Sequence, residues 1–135
     1  MYYWCYPTYF VHGESMFPTF QENQVVKVSA HHAPKRFEVI VFQPKKEDEP
    51  MYLKRVIGLP GERIVYRKHQ LYINGKKIKD PFANETEDFD WSSDQLEIPQ
   101  GHYFVLGDNR EISKDSRSFG LISKKQIKGI IKERN

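Results

Sequence analysis

Long hydrophobic runs are missing from this sequence. The most apolar stretch near the amino end, MYYWCYPTYFV from Met1 to Val11, is interrupted by Pro7 and reaches about half of the ~20 residues that a membrane-spanning helix needs. It has no basic flank and no small-residue cleavage site, so it does not read as a signal peptide. Cysteine is nearly absent, and the single Cys5 excludes an internal disulfide framework. No CxxC, HExxH or carboxylate-rich loop occurs, and His12, His31, His32, His69 and His102 fall at no metal-ligand spacing. No metal or other cofactor is therefore expected. Charge of one sign is scarce too. Lys and Arg number 21 against 18 Asp and Glu, a net charge of +3. The basic residues are spread from Lys27 to Arg134 rather than gathered in a stripe, which argues against a nucleic-acid partner. There is no internal repeat and no long amphipathic helix.

What is present is material for a sheet. A chain of 135 residues holds one domain with a real core. Its aromatic content of 14% suits strands, where flat side chains pack across neighbours. QVVKVSA alternates apolar and polar residues with a period of two. FEVIVFQP is a short, β-branched, almost continuous apolar run and reads as a buried strand. KKEDEP is a solvated turn, and MYLKRVIGLPGE is a further β-branched run stopped by Gly58, Pro60 and Gly61. In RIVYRKHQLYINGKKIKDP, Asn74-Gly75 marks a hairpin, because a type I′ turn needs positive φ at both central residues. Residues 82–95 read as a short surface insertion, with an incidental Asn84-Glu85-Thr86 sequon. GHYFVLGDN returns to strand, SKKQI makes one helical turn capped by Ser123, and KGIIKER closes as the last strand. The expectation is a mostly β chain with little helix, a coiled antiparallel sheet or partly open barrel. The aromatic segment 1–12 reads either as a first strand or as a membrane-proximal stretch whose Tyr and Trp lie at headgroup level.

Three segments are stranger than a sheet requires. In GESMFPTF, Ser15 sits on a backbone bent by Pro18, which fixes φ shortly after it. Taken alone, Ser15 reads as a turn residue. In YLKRVIG, Lys54 shares a strand face with Tyr52 and Val56, while Arg55 takes the face of Leu53 and Ile57. Either Lys54 is an edge lysine whose head reaches water, or it is buried with a lowered pKa. A neutral amine of that kind can take a proton from a serine hydroxyl. In GDNREISKDSRSFG, the residues Asp108, Asn109, Ser113, Asp115, Ser116 and Arg117 can close a loop on themselves, with Asp115 and Arg117 paired.

In this order, GESMFPTF, YLKRVIGLPGE and GDNREISKDSRSFG resemble the sequence boxes of type I signal peptidases, the membrane-bound Ser–Lys endopeptidases, and FEVIVF resembles the strand box between the first two. The resemblance runs from Gly13 to Gly120. It implies a mostly β catalytic core with Ser15 as nucleophile and Lys54 as general base. Met16 then follows the nucleophile and helps shape the substrate pocket; Met16, Phe17 and Tyr52 are candidates for its lining, with core filler the alternative for each. Ser113 orients the lysine amine, Tyr52 lies two before the lysine, and Asp115–Arg117 is a structural ion pair in a loop that includes Asp108 and Asn109. The implied substrates are exported preproteins whose signal peptides carry small residues at −1 and −3, cut by a monomer at a membrane surface, on the outer face of the cytoplasmic membrane. Gly13 stands where Gram-negative members have a serine, which matches the Gram-positive pattern. On this reading residues 1–12 are membrane-proximal, with the usual anchor absent or truncated, and 13–135 form one catalytic domain. Two rivals exist. Self-cleaving Ser–Lys repressors need a cleavable segment before Gly13, which the sequence lacks. A catalytically impaired homologue serving as an assembly or chaperone factor, as in pilus formation, would have replaced Ser15 or Lys54.

Overall fold

A computed structural model describes residues 8–45, 48–68, 70–82, 90–93, 96–110 and 112–132. Cys5, His69, the Asn84-Glu85-Thr86 sequon and most of 82–95 lie outside the described residues. Within them the chain is mostly β. The strands are β1 (Thr8–Phe10), β2 (Val25–Ala30), β3 (Val39–Phe42), β4 (Tyr52–Gly58), β5 (Ile64–Arg67), β6 (Gln70–Ile73), β7 (Lys76–Ile78), β8 (Trp91–Ser92), β9 (His102–Leu106), β10 (Ile122–Ser123) and β11 (Ile127–Ile131). A single helical turn, α1 (Ser116–Phe119), and a 3-10 turn at Lys124–Gln126 complete the described elements. The large antiparallel sheet runs β1-β2-β11-β3-β4-β9-β10 and curls into a half-barrel; a smaller one runs β7-β6-β5-β8.

The sequence pattern explains which strands lie where. β2 alternates exposed and buried residues, so one of its faces meets solvent. β3 lies between β11 and β4, and all four of its residues are at most 1% exposed. Its alternate side chains feed two cores. Val39 and Val41 join Val11, Met16, Phe20 and Val28; Ile40 and Phe42 join Val56, Tyr103, Val105 and Ile122. A third cluster ties Ile57, Phe104 and Leu106 to Ile64, Tyr66 and Leu71 of the small sheet. Each such side chain contributes about 1.5–3 kcal/mol on burial.

Several local features differ from the sequence expectation. The strand expected across FEVIVF starts only at Val39, because Phe37 has φ 71, in the left-handed region that a strand cannot use. Thr8–Phe10, part of the segment read as membrane-proximal, is an edge strand paired with β2, and Tyr9 packs on the core. The expected loop at 82–95 is anchored at both ends. Trp91 pairs with Tyr66 in β8–β5 and stacks on Phe104 with ring centroids 4.2 Å apart, while Phe82 lies under the Arg55 guanidinium. The loop read at Ser116–Phe119 is a helical turn, in which the Arg117 N–H is capped by the Asp115 carboxylate. Asn74 and Gly75 have φ 52 and 81, the turn the dipeptide calls for.

Candidate active site

Ser15 stands on the irregular turn between β1 and β2. Gly13 opens that turn at φ +74, a conformation glycine adopts without a Cβ penalty. The turn is then tied down from outside. Asn109 donates its backbone N–H to the Ser15 carbonyl (2.8 Å) and its side-chain amide to the Glu14 carbonyl (3.1 Å). The Asp108 N–H approaches Met16 Sδ at 3.4 Å, and Thr19 Oγ1 donates to Asp108 Oδ2 at 2.6 Å. The loop after β9 thus clamps the serine turn on both sides of Ser15. Gly107 makes the approach possible: a Cβ there would overlap the Ser113 side chain and lie 2.6 Å from the Ser15 carbonyl oxygen.

Lys54 comes from the centre of the sheet. It is 4% exposed, and its Nζ donates to Ser15 Oγ at 2.7 Å. Burial pushes the amine down from 10.5 to about 8; Asp115 and Asp108 oppose that shift and the Arg117 charge reinforces it. Nζ also lies 5.3 Å from the Tyr52 ring centroid. The Tyr52 hydroxyl donates to Glu49 at 2.6 Å, and that bond pushes the phenol up to about 12. Tyr52 therefore stays neutral over the range in which Lys54 titrates.

The next residue, Arg55, takes the opposite face and is 0% exposed. Both basic side chains point inward because both faces of β4 are covered. Arg55 Nε and Nη2 donate to the two oxygens of Asp108 at 2.8 and 2.6 Å, Nη1 donates to the Phe37 carbonyl, and the guanidinium rests 3.4 Å from the Phe82 ring centroid. Farther along the loop, Asp115 accepts from the Gly107 N–H at 3.0 Å and from Arg117 Nε and Nη2 at 2.9 and 2.8 Å. Arg110 donates to the Gly107 carbonyl and to Asp80, which also receives the Tyr66 hydroxyl.

Of the residues singled out from sequence, Ser15, Lys54, Met16 and Tyr52 come together around one cleft of about 250 Å³, whose apolar wall includes Val11, Val41 and Leu53. Phe17 does not line it: its side chain turns outward and is 48% exposed. Ser113 makes no hydrogen bond to the Lys54 amine. Its hydroxyl is buried without a hydrogen-bond partner among the described residues, packed against Gly107, while the amine is engaged by Ser15. Sequence reasoning missed Arg55 as the partner of Asp108, together with Thr19, Gly107, Arg110 and Asp80. The signal for Arg55 was available, since a guanidinium on a strand face that turns inward demands a counter-charge.

Comparisons with known proteins agree on one family. The family model described as signal peptidase, peptidase S26, matches residues 2–134. Signal peptidase I V of Bacillus subtilis (strain 168) is 43% identical over 141 residues, spanning 93% of this chain and 83% of that protein. Signal peptidase IB of Staphylococcus aureus (strain Mu50 / ATCC 700699) is 40% identical over 141 residues, spanning 90% of this chain and 73% of that protein. The crystal structure of a signal peptidase I from Enterococcus faecalis V583 superimposes with a TM-score of 0.65 at 35% identity, covering 75% of this chain and 98% of that one.

Proposed function

Since the chain belongs to the signal peptidase S26 family, and is thereby a peptidase that cleaves signal peptides, we propose that it does so with a Ser15–Lys54 dyad, on exported preproteins at the outer face of the cytoplasmic membrane. The observation that carries the dyad is the 2.7 Å contact between a buried lysine amine and a serine hydroxyl beside an apolar cleft. In the reactive state the neutral amine accepts the proton that Ser15 Oγ gives up as it attacks the scissile carbonyl. The resulting ammonium hands that proton to the departing amine, leaving an acyl ester on Ser15. Lys54, neutral again, draws a proton from water, the hydroxide equivalent attacks the ester, and the proton returns to Ser15 Oγ as the acid leaves. The backbone N–H of Ser15 is the donor this reading gives to the developing oxyanion. Small side chains at −1 and −3 suit the shallow wall of Val11, Met16, Val41 and Leu53, and an extended substrate would add backbone hydrogen bonds along the cleft.

For localisation, Phe10 and Val25 are cross-strand partners exposed by 64% and 57%, an apolar pair suited to a headgroup layer. None of the described helices is long and apolar enough to cross a membrane. The catalytic unit is taken as a monomeric domain over 13–135, with β1 attached to it. A reading as an inactive assembly factor has no observation in its favour.

The function is tested by incubating the purified protein with a preprotein in detergent and sequencing the new amino terminus. Cleavage after the signal peptide is expected; an intact preprotein would overturn the assignment. A pH profile tests the base. Only the neutral amine accepts a proton, and with its pKa at about 8 the neutral fraction grows about tenfold per pH unit below that value. The expected kcat/KM climbs with that slope and levels above pH 8. A profile already flat from pH 5 upward would contradict Lys54 as the base.

A further inference from the structure

A second cavity, of about 200 Å³, adjoins the Ser15 cleft and is accounted for by nothing in the acyl half of the reaction. Its floor is an aromatic trio: Phe42, Tyr52 and Phe119 have ring centroids 5.7, 6.0 and 5.9 Å apart. Leu121 and Ile122 add aliphatic surface; Lys45 and Lys114 stand exposed around it, and Glu49, bonded to the Tyr52 hydroxyl, is the acidic residue of the lining. Tyr52 and Lys114 line both this cavity and the Ser15 cleft, so the two are neighbours that share a wall.

Strand alternation gives the two cavities different walls, with Tyr52 shared between them. Val41 and Leu53, cross-strand partners, line the Ser15 cleft. Their neighbours Phe42 and Tyr52, also partners, present the other face of the β3–β4 pair and line the second cavity. Lys54 is two residues from Tyr52 and shares its face. Lys54 lines the Ser15 cleft, so the leaving amine takes its proton there, and Tyr52, which borders both cavities, is where the chain beyond that amine can pass from the cleft into the second one. Nζ is 5.3 Å from the Tyr52 ring centroid, a span that one or two extended residues cover at ~3.3 Å each.

We propose that this cavity is a mature-side subsite, which takes an apolar side chain from one of the first two residues after the cleaved bond, with Lys45 and Lys114 favouring an acidic residue beside it. The inference rests on the Ser15–Lys54 reading above, and the test separates the two. Peptides sharing one signal-peptide end would carry Gly, Leu or Phe at the first and second mature positions. A methyl ester of the same acyl half has no mature side at all. With wild-type protein, Leu or Phe at one of the two positions is expected to raise kcat/KM about tenfold or more over Gly. Leu121→Trp, which fills the cavity, is expected to erase that preference and leave ester hydrolysis unchanged. Wild-type rates that ignore the mature residues, or a Leu121→Trp protein that slows ester and peptides equally, would overturn the subsite. Failure of wild type to cut either substrate would instead sink the dyad reading, and the subsite with it. Lys45→Glu, an exposed change, gives a second readout should Leu121→Trp not fold. At low salt the preference for Asp over Lys in the mature segment is expected to fall about threefold or more; an unchanged preference would count against the subsite.

Discussion

Replacing Ser15 by alanine is expected to lower kcat/KM on a preprotein at least about 10⁴-fold, and Lys54→Met to do the same, because nucleophile and base act as one unit and either loss removes the covalent route. The double variant should be no worse than either single one. Stability separates the two. The Lys54 amine has its pKa lowered from 10.5 to about 8 in the fold, so between those values the unfolded chain binds more protons and stability climbs with pH. Below about pH 8 the folded protein carries the full cost of a buried ammonium, on the order of 3 kcal/mol at ~1.36 kcal/mol per pH unit. Methionine has similar length and no charge, so Lys54→Met should stabilise the fold by about 2–3 kcal/mol at pH 6, and the gain should shrink toward pH 10. Urea unfolding at the two pH values measures it. A Lys54→Met protein whose advantage is the same at pH 6 and pH 10, or a Ser15→Ala protein that retains a tenth of the wild-type rate, would contradict this account.

Most of the sheet was legible because its strands are short, β-branched and punctuated. VVKVSA alternates, VIVF is wholly apolar, and Asn74-Gly75 fixes a hairpin by its φ requirements alone. What the period-two reading could not supply was what lies over each face. Lys54 and Arg55 were read as pointing opposite ways, which they do, yet that reading left Lys54 either at an edge or buried and did not address the burial of Arg55. Both are buried, because β3 and β9 flank β4 and different clusters cover its two sides. The start of β3 was misplaced by two residues since no local signal marks Phe37 for positive φ; its conformation goes with a backbone N–H given to the Val56 carbonyl and a carbonyl that receives Arg55.

Around the site, the residue types carried the chemistry and long-range contacts decided the geometry. Ser15 and Lys54 are 39 positions apart in sequence, and only the ordered boxes joined them before any coordinates did. Phe17 was named beside Met16 as pocket lining, but the turn sends Met16 inward and Phe17 outward. Ser113 was grouped with Lys54 by the resemblance, while its hydroxyl, packed on Gly107, has no hydrogen-bond partner among the described residues. The clamp formed by Asp108 and Asn109 spans about ninety residues of sequence, a separation at which composition and periodicity hold no information.

That clamp gives the second severe substitution. Asp108→Ala would remove the two carboxylate oxygens that Nε and Nη2 of the fully buried Arg55 meet. Breaking a buried pair from one side costs about 3–5 kcal/mol, against a total stability of about 5–15 kcal/mol for an ordinary domain. The protein is therefore expected to unfold at markedly lower urea concentration, or to fail to accumulate. The partner change Arg55→Met with Asp108→Leu removes both charges and refills the space, and should recover most of that loss, since apolar replacement of a buried pair is often neutral. Activity should not follow. Asp108 also receives Thr19, and the segment it belongs to holds the Ser15 carbonyl through Asn109. A serine turn released on that side would lose its short contact with Lys54, and kcat should fall with little change in KM. If Asp108→Ala costs less than about 1 kcal/mol, the pair is not a fixed element of the core. If the apolar double variant regains full kcat along with stability, the pair supports the fold alone and positioning of the nucleophile lies elsewhere.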